Sequence, residues 1–261
     1  MLLALVAVAS GCSDRPARLG TLVDLAPLSR TDAGPAPARV SSRGMLDDGT
    51  FRRVVEGDVL GDEGAERVVE VGGGAGLDVL DGSGHVVSRI RTSEYLTAFD
   101  LVEATRAPKR DVVVYTYPND SGGGTFAVVT PDGVEQARWR EQPPPSHPAV
   151  GRWGEAVAVF YLQRDDLVVR SAHGDELARI AVPSGVVFQS LYAATLASGM
   201  VVFVASGGGY MPYHMVFAID PPSALVYQLI AREQAFALER DGDGRGFRVF
   251  ARSRIWRYRA P

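Results

Sequence analysis

Along most of the chain, short apolar runs alternate with breaks rich in Gly, Asp and Pro. Runs of about four to eight residues with such breaks predict strands joined by tight turns, not helices. One unit recurs. Residues 67–71, 77–80 and 86–90 are apolar runs, separated by Gly-rich residues 72–76 and by Gly82-Ser83-Gly84. The same order of strand, polar or Gly-rich turn, strand, Asp/Gly/Pro turn and strand returns over 111–139, 156–180 and 200–230. A further strand precedes each set, at 54–59, 97–102, near 150–153 and at 191–196. A fifth, partial copy starts at Phe236 and runs to Arg259.

The copies start near Asp58, Asp100, Trp153, Ala194 and Leu238. A period of about 40–50 residues with four strands in each unit matches propeller blades. The expected fold is all-β: a β-propeller of about five four-stranded blades over residues 44–261. The last copy holds only three strands and would leave an open edge. Residues 40–46 can supply its outer strand, so that an N-terminal strand closes the last blade. Residues 223–240 are the richest in helix-forming side chains. Their alignment with the other copies instead gives an outer strand, a turn at 231–234 and an inner strand.

The N-terminus follows a different rule. Residues 2–9 are uninterruptedly apolar and run into Ala9-Ser10-Gly11-Cys12. A short apolar run ending in small residues is the pattern of a secretory signal. The tetrad resembles the lipobox of bacterial lipoproteins, and Cys12 is the one Cys of the chain. That resemblance implies a signal peptide over 1–11, acylation of Cys12 by palmitate-type chains, and attachment to the outside of a cell-envelope membrane. Residues 12–43, with Pro16, Pro27, Pro35 and Pro37, then read as the lipidated Cys and a flexible tether. A single Cys rules out a disulfide framework. The net charge of −4 supplies no field that would draw the chain to nucleic acid.

Within the repeats, Gly57-Asp58-Val59-Leu60-Gly61-Asp62 and Glu239-Arg240-Asp241-Gly242-Asp243-Gly244 each precede an apolar strand. These openings resemble the FG-GAP and VCBS-type repeats of integrin-like propellers. Glu239, Asp241 and Asp243 have the alternating spacing of a Ca²⁺ loop. However, Phe247 stands where a late carboxylate belongs. Polar turns are therefore expected, with Ca²⁺ as the one cofactor to consider. The Gly clusters at 72–76, 122–124 and 207–209 recur at one place in the unit and lead into strands. They read as hairpins, because no helix N-terminus follows to hold a phosphate.

No nucleophile elbow or paired His motif occurs. The expected function is a lipid-anchored binding or scaffold module for a protein or glycan partner. Its contact residues would be Tyr117, Asp120, Tyr210, Met211, Tyr213 and His214, on the rim that collects the second-to-third-strand hairpins together with Tyr95. The rival expectation is a cell-envelope polysaccharide hydrolase or lyase using rim carboxylates such as Asp120 and Asp165. The arginines from Arg248 to Arg259 read as a solvated face.

Overall fold

The computed structural model describes residues 18–19, 29–35, 43–45, 51–61, 64, 66–103, 110–117, 122–146, 148–164, 166–181, 190–207, 213–220, 225–231, 234–251 and 254–259. Three N-terminal strands come first: β1 (Arg18–Leu19), β2 (Ser29–Pro35) and β3 (Arg43–Met45). The first sheet continues with β4 (Phe51–Gly57), β5 (Glu66–Glu70), β6 (Gly76–Leu80) and β7 (Val86–Arg91). The second holds β8 (Tyr95–Glu103), β9 (Arg110–Tyr117), β10 (Gly124–Val129) and β11 (Glu135–Glu141). The third holds β12 (Ala149–Trp153), β13 (Ala156–Gln163), β14 (Asp166–Ser171) and β15 (Glu176–Ala181). The fourth holds β16 (Ser190–Thr195), β17 (Val201–Gly207), β18 (Tyr213–Asp220) and β19 (Leu225–Ala231). The last holds β20 (Ala235–Arg240), β21 (Gly246–Ala251) and β22 (Arg254–Arg259). Within 223–240, Leu225–Ala231 and Ala235–Arg240 thus form the two predicted strands, against their helical composition.

Within each sheet the consecutive strands form an antiparallel meander, and the first strands of successive sheets lie side by side. The expectation of about five uniform four-stranded blades is corrected in detail. Among the described residues three sheets have four strands, while the first and third have five. The extra strands are β3, paired with β4, and β1, which pairs parallel to β15 through Arg18↔Arg179 and Leu19↔Ile180. Residues 18–19 and 29–35, expected in a tether, are therefore strands. An N-terminal strand does complete the last sheet, but it is β2, with Ser29 opposite Arg259 and Asp32 opposite Trp256. Residues 43–45 are held instead by the neighbouring β4. Closing that short loop costs less entropy than reaching the far end of the chain, which leaves the more distant segment for β22.

Period two explains the cores. In β13, Phe160 and Leu162 face the fourth sheet, while Val159 and Tyr161 face the second. In β17, Val201 and Phe203 face the third sheet, and Val202 and Val204 the last. Middle strands buried on both faces read as unbroken apolar runs; outer strands such as β7 and β11 alternate with polar residues.

The turns share one geometry. Thr130 N–H donates to Val134 O at 2.9 Å and Gly133 N–H to Thr130 O at 2.8 Å. The same two bonds recur at Asp81/Gly84/His85, Ser171/Gly174/Asp175 and Leu196/Gly199/Met200. Gly84, Gly133, Gly174 and Gly199 have φ of 86° to 93°, a conformation that costs a glycine nothing. Three of these hairpins carry the register shift of the accompanying bulge, at Val79/Leu80, Val128/Val129 and Val169/Arg170.

Candidate functional site

The expected contact residues scatter. Cys12, Asp120, Tyr210 and Met211 lie outside the described residues. Tyr117 ends β9 opposite Tyr95, and Tyr213 starts β18 opposite Gly207. Tyr95 is an exposed aromatic of that rim, at 54% exposure, and packs against Gly74 of the neighbouring hairpin. His214 is a correction. It is fully buried, and its Nε2 lies 3.2 Å from the Tyr258 hydroxyl. Alternation along β18 turns it inward with Val216, toward the last sheet.

The acidic turns are occupied by their own chain. Glu66 is buried and accepts the N–H groups of Val59 at 2.6 Å and Leu60 at 3.0 Å; Asp58 accepts Gly61 N–H. In the last sheet Arg257 Nε donates to Asp241 at 2.8 Å, and Arg248 pairs with Glu239 at 2.9 Å. Asp243 accepts the N–H of Arg245. Two of the three carboxylates expected to serve Ca²⁺ therefore already carry guanidiniums. Among the described residues no group of three or more His, Cys, Asp or Glu is arranged to hold a metal.

The most buried charged cluster joins the second and third sheets. Glu141, at the end of β11, accepts from the Tyr161 hydroxyl at 2.5 Å, from Gln163 at 3.0 Å and from Arg170 at 2.8 and 2.9 Å. Burial pushes the Tyr161 hydroxyl far above the usual phenol range, and the Glu141 carboxylate beside it adds to the shift. Burial pulls the Arg170 guanidinium down, but Tyr161 and Glu141 outweigh it and the net shift is upward. Every strong acceptor of this cluster is spoken for, which makes it a structural joint.

An open concavity lies elsewhere, where the C-terminal ends of the first strands converge. It measures about 490 Å³ and takes lining residues from β8, β12, β16 and β20. Arg152 and Arg240 stand in its wall with Thr195 between them. The Thr195 hydroxyl accepts the Arg152 N–H at 3.2 Å, and Arg240 donates to the Thr195 carbonyl at 3.2 Å. Leu101, Val157 and Leu196 form apolar wall. The described lining contains two cations and no carboxylate or imidazole. Such a wall can hold an anion, because a guanidinium offers a fixed fork of N–H donors. It offers no general base for a proton transfer. The site draws its residues from the strand ends of four different repeats, so no local motif announces it.

No family model matches the chain, and no curated protein matches it. Solved structures do. The chain is similar to BBS1N from its complex with ARL6DN, at 13% identity and a TM-score of 0.57, over 80% of this chain and 66% of that one. It is also similar to the Pan2 WD40 domain of Neurospora crassa, at 11% identity and a TM-score of 0.53, over 83% of this chain and 65% of that one. The fold is an all-β propeller. A third similar structure is XC5397 of Xanthomonas campestris, described as a gluconolactonase, at 13% identity and a TM-score of 0.51, over 83% of this chain and 74% of that one. The chain thus spans just under two thirds of the BBS1N and Pan2 chains. At these identities the likeness speaks for the propeller alone.

Proposed function

We propose that this propeller is a binding or scaffold module for a protein or glycan partner, held on the extracytoplasmic side of a cell-envelope membrane by lipid on Cys12. The observation that carries binding over catalysis is the wall of the concavity at the strand ends: two guanidiniums and apolar side chains, with no carboxylate or imidazole among its described residues. Exposed Tyr95 on the opposite rim adds a large amphipathic side chain of the kind that partner surfaces favour. The similar structure of BBS1N was obtained in complex with ARL6DN, which is a precedent for partner recognition on this architecture. Anchoring is supported by the apolar run ending at Ala9-Ser10-Gly11-Cys12, with no other Cys to acylate. Two acyl chains hold a protein stably where one is marginal. The acidic turns at 57–62 and 239–244 support kinship with FG-GAP-like repeats.

The anchor is tested by fatty-acid labelling of the full chain against Cys12→Ala in a bacterial host. Label and detergent-phase partitioning in the parent, both lost in the variant, are expected. An unlabelled parent that stays in the aqueous phase refutes anchoring. Crosslinking followed by recovery of the propeller tests the binding role.

A further inference from the structure

The hairpins between the third and fourth strands of the first three sheets stand on one rim, and two observations single that rim out. The first is exposure. Among the described residues the exposed large apolar side chains are Tyr95, on the opposite rim, and Val86, Val87 and Val134, at 45%, 48% and 54% exposure. Val86 and Val87 open β7, and Val134 immediately precedes β11. Their hairpins are neighbours: the Ser88 hydroxyl donates to the Pro131 carbonyl, and Gly133 lies against the Arg89 carbonyl. Apolar side chains grouped in this way mark a contact surface. The second observation is the path of the chain. β1 runs parallel to β15, with Arg18 opposite Arg179. The chain therefore enters β1 from the side of Glu176 and of the Ser171–Asp175 hairpin, on the same rim. Arg179 stands three residues along β15 from Glu176, about 10 Å. Residues 12–17 extend at most about 20 Å, so Cys12 can pass the rim by only about 10 Å.

We propose that this rim lies against the bilayer that takes the acyl chains of Cys12, with Val86, Val87 and Val134 in contact with the lipid surface. The proposal rests on acylation at Cys12 and adds an orientation to it: a short leash on the third sheet and apolar side chains on the first two hold one rim down. Interfacial binding grows with the apolar area buried and, on anionic lipid, with basic charge. Asp81, Asp132 and Asp175 belong to the same three hairpins. The apolar side chains therefore carry the contact, and anionic headgroups are disfavoured. The concavity opens on this rim and faces the headgroups. The rim of Tyr95 points away from the membrane and is left to a partner.

Acylation blocks the Cys12 thiol, so a single introduced Cys can carry a fluorescent label. His173, in the third hairpin, and Ser93, beside Tyr95, are both exposed. Strands of about six residues hold the two rims about 20 Å apart. The full chain in phosphatidylcholine vesicles containing a nitroxide-headgroup lipid should show a quenched label in His173→Cys and an unquenched one in Ser93→Cys. Equal quenching at the two positions, or quenching at 93 alone, would overturn the orientation. Val86→Ser, Val87→Ser and Val134→Ser together should weaken quenching at 173, while the melting temperature stays near the parent's because all three side chains are exposed. Undiminished quenching at 173 in that variant would overturn contact through the valines. Fatty-acid labelling of the same preparations reads the anchor separately. Acylated chains with equal quenching sink the orientation alone, whereas chains without acyl label sink the anchor and the orientation together.

Discussion

The joint between the second and third sheets and the joint between the third and fourth solve one packing problem in two ways. The second–third joint carries a continuous aromatic stack, with Phe126 4.6 Å from Tyr115, 5.3 Å from Trp139 and 4.8 Å from Tyr161. At its edge sits the Glu141–Arg170–Tyr161–Gln163 cluster. The third–fourth joint has an apolar core, with Phe160 and Phe203 edge to face at 4.9 Å, and the Thr195–Arg152 hydrogen bonds lie at its edge. A dry joint is stabilised by burial, which has no direction. A polar joint fixes geometry, because each buried group must find its partner or incur a desolvation penalty. Both faces of the third sheet are involved, so β13 and β14 serve a directional contact on one side and a non-directional one on the other.

Emptying the dry joint should have the largest effect. Phe203→Ala should cost about 3–5 kcal/mol in urea unfolding, since a fully buried ring leaves a cavity. A loss below about 1 kcal/mol would mean that the joint repacks freely.

The polar joint should respond to one-sided loss. Glu141→Ala strips partners from Arg170, Tyr161 and Gln163. Arg170 keeps some solvent contact at 19% exposure, so about 2–3 kcal/mol is expected, below the range of a fully buried pair. Exchanging Glu141 and Arg170 together for Leu should recover most of that loss. If the double exchange is as damaging as the single one, the cluster does more than satisfy its own charges.

Alkaline pH separates the two joints more finely. Tyr161 has its folded-state pKa raised by burial, so above about pH 10 the unfolded chain releases this proton while the folded chain keeps it. The folded state then binds more protons, and stability falls as pH rises. Tyr161→Phe should cost about 1–2 kcal/mol at pH 8. Its decline between pH 9 and about pH 11 should be shallower than the parent's. Parallel declines would assign the alkaline loss to other groups. The smallest effect should come from Arg89→Ala. Its pair with Asp78 on the outer strands is exposed and belongs to neither joint, so a change within about 0.5–1 kcal/mol is expected.

How much of this was legible in the sequence follows from range. Strands and turns were, because their signals are local. Thr130-Pro131-Asp132-Gly133 announces its hairpin through a Gly that can take positive φ. Leu225–Ala231 and Ala235–Arg240 became strands because alignment with other repeats outweighs helix propensity. Pairing partners were harder. Nothing in Ser29–Pro35 is apolar enough to mark it as the strand on β22; its role follows from the edge that β22 offers. Glu141 was half legible, since it shares a strand face with Trp139 two residues earlier. Its partners on β13 and β14 are visible only once two sheets meet. His214 misled for the same reason: next to a Gly-rich loop it reads as a loop residue, yet it belongs to the strand. The concavity at the strand ends was not legible, because Arg152, Thr195 and Arg240 come together only when three sheets stand side by side.

The strand β2 also sets a timetable. Residues 29–35 are synthesised long before 254–259, yet those two segments share a ladder. Until residue 259 is available, the last sheet cannot be completed, whereas β4 and β5 or β8 and β9 meet across short loops as soon as they are made. Pairings of such large sequence separation form late and slowly. During that interval the backbone groups of β2 and the outer edge of the last sheet are open to other strands, the circumstance in which partly folded chains pair with their neighbours. A chain halted before β22 should therefore be more prone to association than one that has already lost β2 and β22 together.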